Sequence, residues 1–323
     1  MMSRLPVLAD VYAARQRLAS LLPPTPLRAS PWLSRATRAT VALKLESLQP
    51  SHAFKIRGAI NAAMQVVAER GTTAPLITAS AGNHGRALAI AAEQLGVPLV
   101  VFTPATAPAT KKAAIRRHGA TLDDTPPDYD AAERAARAYA RRENAIYISP
   151  YNDGAVIAGA GTIALEILES MPDLDAIVVP LGGGGLASGI GLTMKAAAAR
   201  VEVIGVEAEV STPFAMSIAR GEITSIDPGV SLADGLTGNL EPESITFELV
   251  RMHVDRLVTV SEGDLASAVR GLAEEEHLVT EGAGAAATAA VLARDIISAG
   301  SRVAVMVTGA NIDLSRFASI VSG

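Results

Sequence analysis

The chain has 323 residues, with 28 Lys and Arg against 33 Asp and Glu and a formal net charge of −5. Hydrophobic residues make up 49% and charged residues 19%, which excludes a disordered chain and suits one large domain or two modest ones. The acidic balance argues against a nucleic-acid partner. The absence of cysteine excludes disulfides, thiolate-held metals and thiol catalysis.

The stretch from Met1 to Asp10 has no long apolar run, so no secretory leader is expected. No stretch reaches the roughly 20 apolar residues of a membrane span. A soluble, cytoplasmic protein is the expectation. In chain order, strand-like runs fall at Val41–Leu45, Leu76–Thr78, Leu99–Phe102, Ile146–Ile148, Ala176–Val179, Val203–Val206 and Val303–Val307. Helical runs fall at Ile56–Glu69, Gly85–Leu95, Thr110–His118, Ala131–Arg141, Gly159–Glu169, Leu186–Ala199 and Glu262–Glu276. Strands that are apolar throughout and separated by helices predict parallel sheets covered on both faces, an open α/β architecture. Residues 76–148 carry a strand–helix run of their own. They are expected to form a small domain inserted into a larger one made of 1–75 and 149–323. The clusters Arg116-Arg117-His118 and Arg141-Arg142 read as solvated helix faces.

Ligands bind such sheets beyond the carboxyl ends of the strands, and three loops there are unusual. The run Gly182-Gly183-Gly184-Gly185 follows a strand and opens a helix. Its N–H groups make an anion site, above all for phosphate, because consecutive glycines are costly to order for a turn alone. The same loop fits a dinucleotide fingerprint, Gly182-x-Gly184-x-x-Ala187, with Glu207 where a ribose-binding acid would lie. An NAD-dependent oxidoreductase therefore stays open at this point. In the second loop, Thr78 to Gly85, Ser80 and Asn83 are good hydrogen-bonders and the free N–H groups suit a carboxylate or phenolate oxygen. Helix capping is the bland alternative, but a cap needs one such residue rather than a Ser-x-Gly-Asn-His cluster. The third loop, Thr308-Gly309-Ala310-Asn311, places a hydroxyl at a strand's end, either facing a ring nitrogen or simply turning the chain.

Only five lysines occur: Lys44, Lys55, Lys111, Lys112 and Lys195. Lys55 lies between Phe54 and Ile56, just before an apolar helix. A lysine is by default a surface charge. These flanks suggest burial, which lowers an amine's pKa and makes it nucleophilic. A buried amine, an anion-binding glycine loop, a carboxylate-ready loop and a strand-end hydroxyl together suit pyridoxal phosphate, with its aldehyde, phosphate and pyridine nitrogen.

The motifs Thr25-Pro26-Leu27, Leu43-Lys44-Leu45-Glu46, Ala53–Ala59, Ser80–His84, Ala158–Leu165, Gly182–Leu186, Glu281–Ala285 and Thr308–Asp313 run nearly end to end. Through them the chain resembles the serine/threonine dehydratases and serine racemases, pyridoxal-phosphate enzymes of fold type II with the tryptophan-synthase-β architecture. The resemblance displaces the NAD reading. It implies Lys55 as the Schiff-base lysine, Phe54 beside the ring, Asn83 on the phenolic oxygen and Thr308 at the pyridine nitrogen. Gly182, Gly183, Gly184, Gly185 and Leu186 would wrap the phosphate. Ser80, Asn83 and His84 would surround the substrate carboxylate. The implied reaction is dehydration of a β-hydroxy amino acid such as threonine or serine to a 2-oxo acid and ammonia. Threo-3-hydroxyaspartate, phenylserine and a hydroxyectoine-pathway amino acid are alternative substrates, and serine racemisation an alternative activity. A homodimer is expected.

The departures are informative. Family racemases carry a serine as the opposite-face acid/base where this chain has Ala81, and a methyl group moves no proton. The usual Thr-Gly-Ser-Phe-Lys becomes Ser51-His52-Ala53-Phe54-Lys55. His52 is thus a candidate for contacting a polar or acidic β-substituent, with exposure to solvent as the alternative. Ser149-Pro150-Tyr151-Asn152-Asp153 replaces the usual His-Pro start. Some members hold a divalent cation through the acid matching Glu207 and a second acid whose place is taken here by Pro213. A weak metal site or none is expected, since such ions need oxygen ligands. With Gly323 last in the sequence, no C-terminal regulatory domain is expected.

Overall fold

The apolar runs become the strands of two sheets in the computed structural model, which describes residues 4–323. Residues 1–3 of the expected larger domain, and of the stretch read as lacking a leader, lie outside the described residues. The strands are β1 (Leu27–Ala29), β2 (Thr40–Leu45), β3 (Leu76–Ala79), β4 (Leu99–Phe102), β5 (Thr121–Asp123), β6 (Ile146–Tyr147), β7 (Ala176–Pro180), β8 (Glu202–Ala208), β9 (Arg256–Val260) and β10 (Arg302–Val307). The helices of the first half are α1 (Leu8–Leu18), α2 (Pro31–Thr37), α3 (Lys55–Arg70), α4 (Asn83–Leu95), α5 (Ala109–Arg116), α6 (Tyr129–Arg142) and α7 (Gly154–Ser170). Those of the second half are α8 (Gly185–Ala197), α9 (Pro213–Arg220), α10 (Ile245–His253), α11 (Glu262–Glu276), α12 (Gly282–Ala293) and α13 (Leu314–Ser322).

The larger sheet runs β1-β2-β10-β7-β8-β9 and the smaller β5-β4-β3-β6. Among the described residues all pairings between these strands are parallel except one. β1 lies antiparallel to β2, with Leu27 opposite Lys44. The sheets are thus mostly parallel, as expected, and the antiparallel edge is a strand that the apolar runs did not announce. The short α2 connection is too brief for a parallel crossover, which needs a dozen residues or more. β1, β5 and β9 escaped the sequence pattern because they are only partly buried edge strands. An edge strand carries polar residues that interrupt the apolar run.

Alternation along the strands explains the layers. In the smaller sheet Leu76, Leu99 and Val101 pack with Ile56 and Ile60 of α3 and Leu88 of α4. Ile77, Ala79 and Phe102 face the other way, onto Ala132, Ala136 and Ala140 of α6. In the larger sheet Val41, Leu43, Ile177, Val179, Val203 and Val305 share a core with α7, α8, α11 and α12. No helix among the described residues is long and apolar enough to cross a membrane.

Candidate active site

Lys55 is the first residue of α3, and the loop before it is tied to the end of β10. Ala53 makes an antiparallel bridge with Gly309. The Phe54 N–H donates to the Thr308 carbonyl at 3.0 Å, and the Ala310 N–H to the His52 carbonyl at 2.9 Å. These bonds set Lys55 and Phe54 beside Thr308, more than two hundred residues away in sequence. The Lys55 amine donates to the Pro150 carbonyl at 2.7 Å and stands 5.1 Å from the Phe54 ring centroid. Burial lowers its pKa to about 8, because no carboxylate compensates the charge. A fraction of this amine is therefore free base at neutral pH.

Beneath Lys55 lies a buried ionic cluster. Arg57 pairs with Glu46 at 2.8 Å and with Glu166 at 2.6 Å. Lys44 pairs with Glu166, and the Thr25 hydroxyl donates to Glu46. Two motifs that carry the family resemblance, around Thr25 and around Lys44 and Glu46, thus serve to fix the first turn of α3. Removing one member of such a cluster costs about 3–5 kcal/mol, because its partner is left buried and charged.

The glycine loop joins β7 to α8. Gly184 adopts φ +86° at the N-cap, and no side chain caps the helix. The first N–H groups of α8 are left for a ligand. A Cβ on Gly183 would stand 2.4 Å from the Tyr151 ring, and one on Gly184 would stand 2.5 Å from Phe214. Glycine is thus required by close approach as well as by φ. Tyr151 follows Pro150, so one dipeptide touches both the Lys55 amine and the glycine loop. Leu186 is buried in the first turn of α8.

Asn83 opens α4, whose N-cap is Gly82 without a side-chain cap. Capping by Ser80 or Asn83 is therefore not the role of this cluster. The Ser80 hydroxyl accepts from the Gly82 N–H at 3.2 Å. The Asn83 amide donates to Glu281 at 2.6 Å, and its oxygen accepts from Asn311 at 2.6 Å. Glu281 stands at the N-cap of α12, and burial raises its pKa to about 7. Gly309 lies against the Glu281 carboxyl, where a Cβ would come within 2.1 Å. His84 is buried, and neither ring nitrogen makes a well-formed hydrogen bond, the Ile148 backbone being the one group near enough to act on the ring. Burial, and then the neighbouring Lys55 charge, lower its pKa to about 3, so the imidazole is neutral. The Thr308 hydroxyl is buried and donates to the Ala283 carbonyl at 3.3 Å.

These observations meet the needs of pyridoxal phosphate. The amine is buried and depressed, the helix N-terminus is uncapped, and an imidazole beside Lys55 has no well-formed hydrogen bond. Buried polar groups without partners are rare and signal a missing one. Ala81 lines a cleft with Gly82 and Asn83. His52 is exposed, at φ +57°. The sequence assigns no role to Pro150, Tyr151, Glu281 or Arg86. The unusual Ser149–Asp153 segment was the one available signal for the first two. Glu207 is the next-to-last residue of β8, about where the fingerprint reading put it. Its two oxygens, however, accept the Phe214 and Ala215 N–H groups at 2.8 and 3.0 Å, capping α9. That carboxylate is not free for a ribose.

The comparisons with known proteins agree. The chain is 38% identical over 315 residues to an L-threonine ammonia-lyase of Thermotoga maritima, covering 98% of this chain and 78% of that one. It is 35% identical over 315 residues to a β-hydroxyaspartate dehydratase of Paracoccus denitrificans, covering 97% and 98%. A solved structure of maize serine racemase superposes with a TM-score of 0.92 at 30% identity, covering 98% of this chain and 97% of that one. The sequence model of the pyridoxal-phosphate dependent enzymes matches residues 18–309, which include Lys55, the glycine loop and Thr308. With that match spanning most of the chain and the fold type II architecture around it, this protein belongs to the pyridoxal-phosphate dependent enzyme family.

Proposed function

We propose that this enzyme is an ammonia-lyase that dehydrates a β-hydroxy amino acid, of which serine and threonine are the simplest, to a 2-oxo acid and ammonia. The observation that carries the reading is Lys55: a buried amine with pKa about 8, set between the strand-end Thr308 and the segment that covers the glycine loop. Bound pyridoxal phosphate supplies an aldehyde for the amine and a conjugated ring that accepts the electron pair left at the α-carbon.

The chain's own groups supply the rest. The Lys55 amine holds the cofactor and, when released, takes the α-proton on its Nζ. Gly182 to Leu186 present N–H groups to the phosphate, and Phe54 flanks the ring. Asn83 offers an amide donor to the phenolic oxygen, and Thr308 offers the pyridine nitrogen a neutral hydroxyl. Ser80, Asn83 and the N–H groups at the start of α4 receive the substrate carboxylate, with neutral His84 completing the wall. Ala81 puts a methyl group on the face opposite Lys55, which favours elimination over racemisation.

Residues 76–148 are read as a small domain closing over the larger one. The contacts Lys111–Asp234, Arg137–Glu241 and Thr110–Asp313 join the two parts. Two further parts of the reading are a homodimer and a cytoplasmic location. Exposed Val230 and Leu314 offer apolar surface to a second copy.

The test is a panel of β-hydroxy amino acids, scored for 2-oxo acid and ammonia release by wild type and Lys55→Ala. Wild type turns over at least one member. Lys55→Ala loses the visible cofactor absorption and about 10³-fold or more in rate. Full activity in a folded Lys55→Ala protein would refute the assignment.

A further inference from the structure

The cleft beside the β3–α4 loop has a volume of about 130 Å³ and lies between Ala81, Asn83, Arg86, Lys111, Asn311 and Asp313. Its charged groups are not equivalent. The Lys111 ammonium is claimed by Asp234 at 2.6 Å, and Asp313 accepts from the Thr110 hydroxyl at 2.9 Å. Arg86 forms no ion pair among the described residues; its Nη1 donates to Asn311, a neutral amide oxygen, at 2.5 Å. Its Nε is buried without a partner. A guanidinium has five N–H donors and stays charged in a protein. Here most of that capacity is unspent, one turn from the residues that face the substrate. His52, though exposed, lies near enough that partial desolvation and then the Arg86 charge lower its pKa.

We infer that Arg86 receives a second anionic group of the substrate, so that the β-hydroxy amino acid processed here carries a carboxylate on its β-carbon. This rests on the reading of the site as a β-hydroxy amino acid dehydratase and names the substrate class. A carboxylate meets the planar fork of a guanidinium with two parallel bonds, satisfying a half-buried cation that a threonine methyl group would leave unpaired. A water occupies about 30 Å³ of liquid, so the cleft has room for such a group. The competing role of Arg86 is mechanical. Asn311, which it holds, also donates to Asn83 and to the Ser51 carbonyl.

The experiment compares the holoenzyme with Arg86→Gln and Arg86→Lys. It measures kcat/KM for 3-hydroxyaspartate and for serine. It also measures binding of L-aspartate and L-alanine, which lack the hydroxyl leaving group, by calorimetry. In wild type, 3-hydroxyaspartate is preferred and L-aspartate binds more tightly than L-alanine. Arg86→Gln lowers the ratio of kcat/KM for 3-hydroxyaspartate over serine about 10–100-fold, and the binding preference by a similar factor. Arg86→Lys restores part of both. An unchanged ratio, with both substrates losing equally, overturns the inference and makes Arg86 a positioning residue acting through Asn311. A wild type that turns over serine but not 3-hydroxyaspartate also overturns it. If no β-hydroxy amino acid is turned over, the dehydratase reading fails. The binding arm then judges the cleft alone: a Gln-sensitive preference for L-aspartate supports the anion site, and no preference overturns it.

Discussion

Two strand-to-helix loops approach Lys55, one through Pro150 and Tyr151 and the other through His84, and they are built on opposite principles. The β7–α8 loop is packed from both sides. Tyr151 leans on Gly183 and Phe214 on Gly184, and no side chain of the loop itself is offered to a ligand. The β3–α4 loop is open where the other is closed. A Cβ on Gly82 would meet nothing within 4 Å, while Asn83 and Arg86 border a cleft. Both helices lack a side-chain cap, so both present free N–H groups. The comparison teaches how one fold serves two kinds of ligand. On the proposed reading, a phosphate that is the same in every turnover would be held by main chain fixed in place by its neighbours. A substrate that must enter and leave would be met by side chains around an accessible cavity.

The sharpest way to break this comparison is to add one methyl group to each loop. Gly183→Ala drives a Cβ into the Tyr151 ring, and Gly184→Ala adds the strain of a left-handed residue, roughly 1–3 kcal/mol. Each is expected to weaken pyridoxal-phosphate affinity about 10–100-fold, measured by titrating the apoprotein and following cofactor absorbance. Gly82→Ala is expected to change that affinity far less. Equal losses in the three variants would show that the phosphate loop is not the more tightly packed of the two.

A second test concerns the acid behind the open loop. Burial raises Glu281 to about 7 from an ordinary carboxyl value of 4.5. Between these values the unfolded chain gives up its proton first. The Glu281 contribution therefore lowers stability as pH rises through that interval and is constant above it. The full span corresponds to about 3 kcal/mol. Glu207, pushed to about 7 by burial, adds a slope of the same sign. Glu281→Gln keeps an oxygen acceptor for Asn83 and is expected to flatten part of the decline in denaturant unfolding between pH 5 and 8. An unaltered slope would remove Glu281 from the account.

The smallest expected effect lies at Ala81. With serine as substrate, the unmodified enzyme should release pyruvate much faster than D-serine. Ala81→Ser should raise the racemisation share a few-fold, because on the proposed reading it puts a hydroxyl that can move a proton on the face opposite Lys55. Chiral chromatography of the product mixture measures both. D-serine accumulating as fast as pyruvate in wild type would place a second acid/base elsewhere in the open loop.

What the sequence alone determined is local or periodic. The apolar runs from Val41 to Val307 announced the buried strands, because a parallel strand covered on both faces has no polar positions. The consecutive glycines announced a strand-to-helix turn that leaves the first N–H groups of α8 uncapped, and the apolar flanks of Lys55 its burial. The tertiary structure decided what depends on long-range contact. It placed the Pro150 carbonyl on Lys55, Tyr151 on Gly183, Glu281 on Asn83 and Asn311 on Arg86. It turned Glu207, legible in sequence as a ribose or metal ligand, onto the N–H groups of α9. It also ran β1 antiparallel on the edge of an otherwise parallel sheet. A residue's partner across such distances is set by how helices and sheets pack, and packing leaves no period in the sequence from which it could be read.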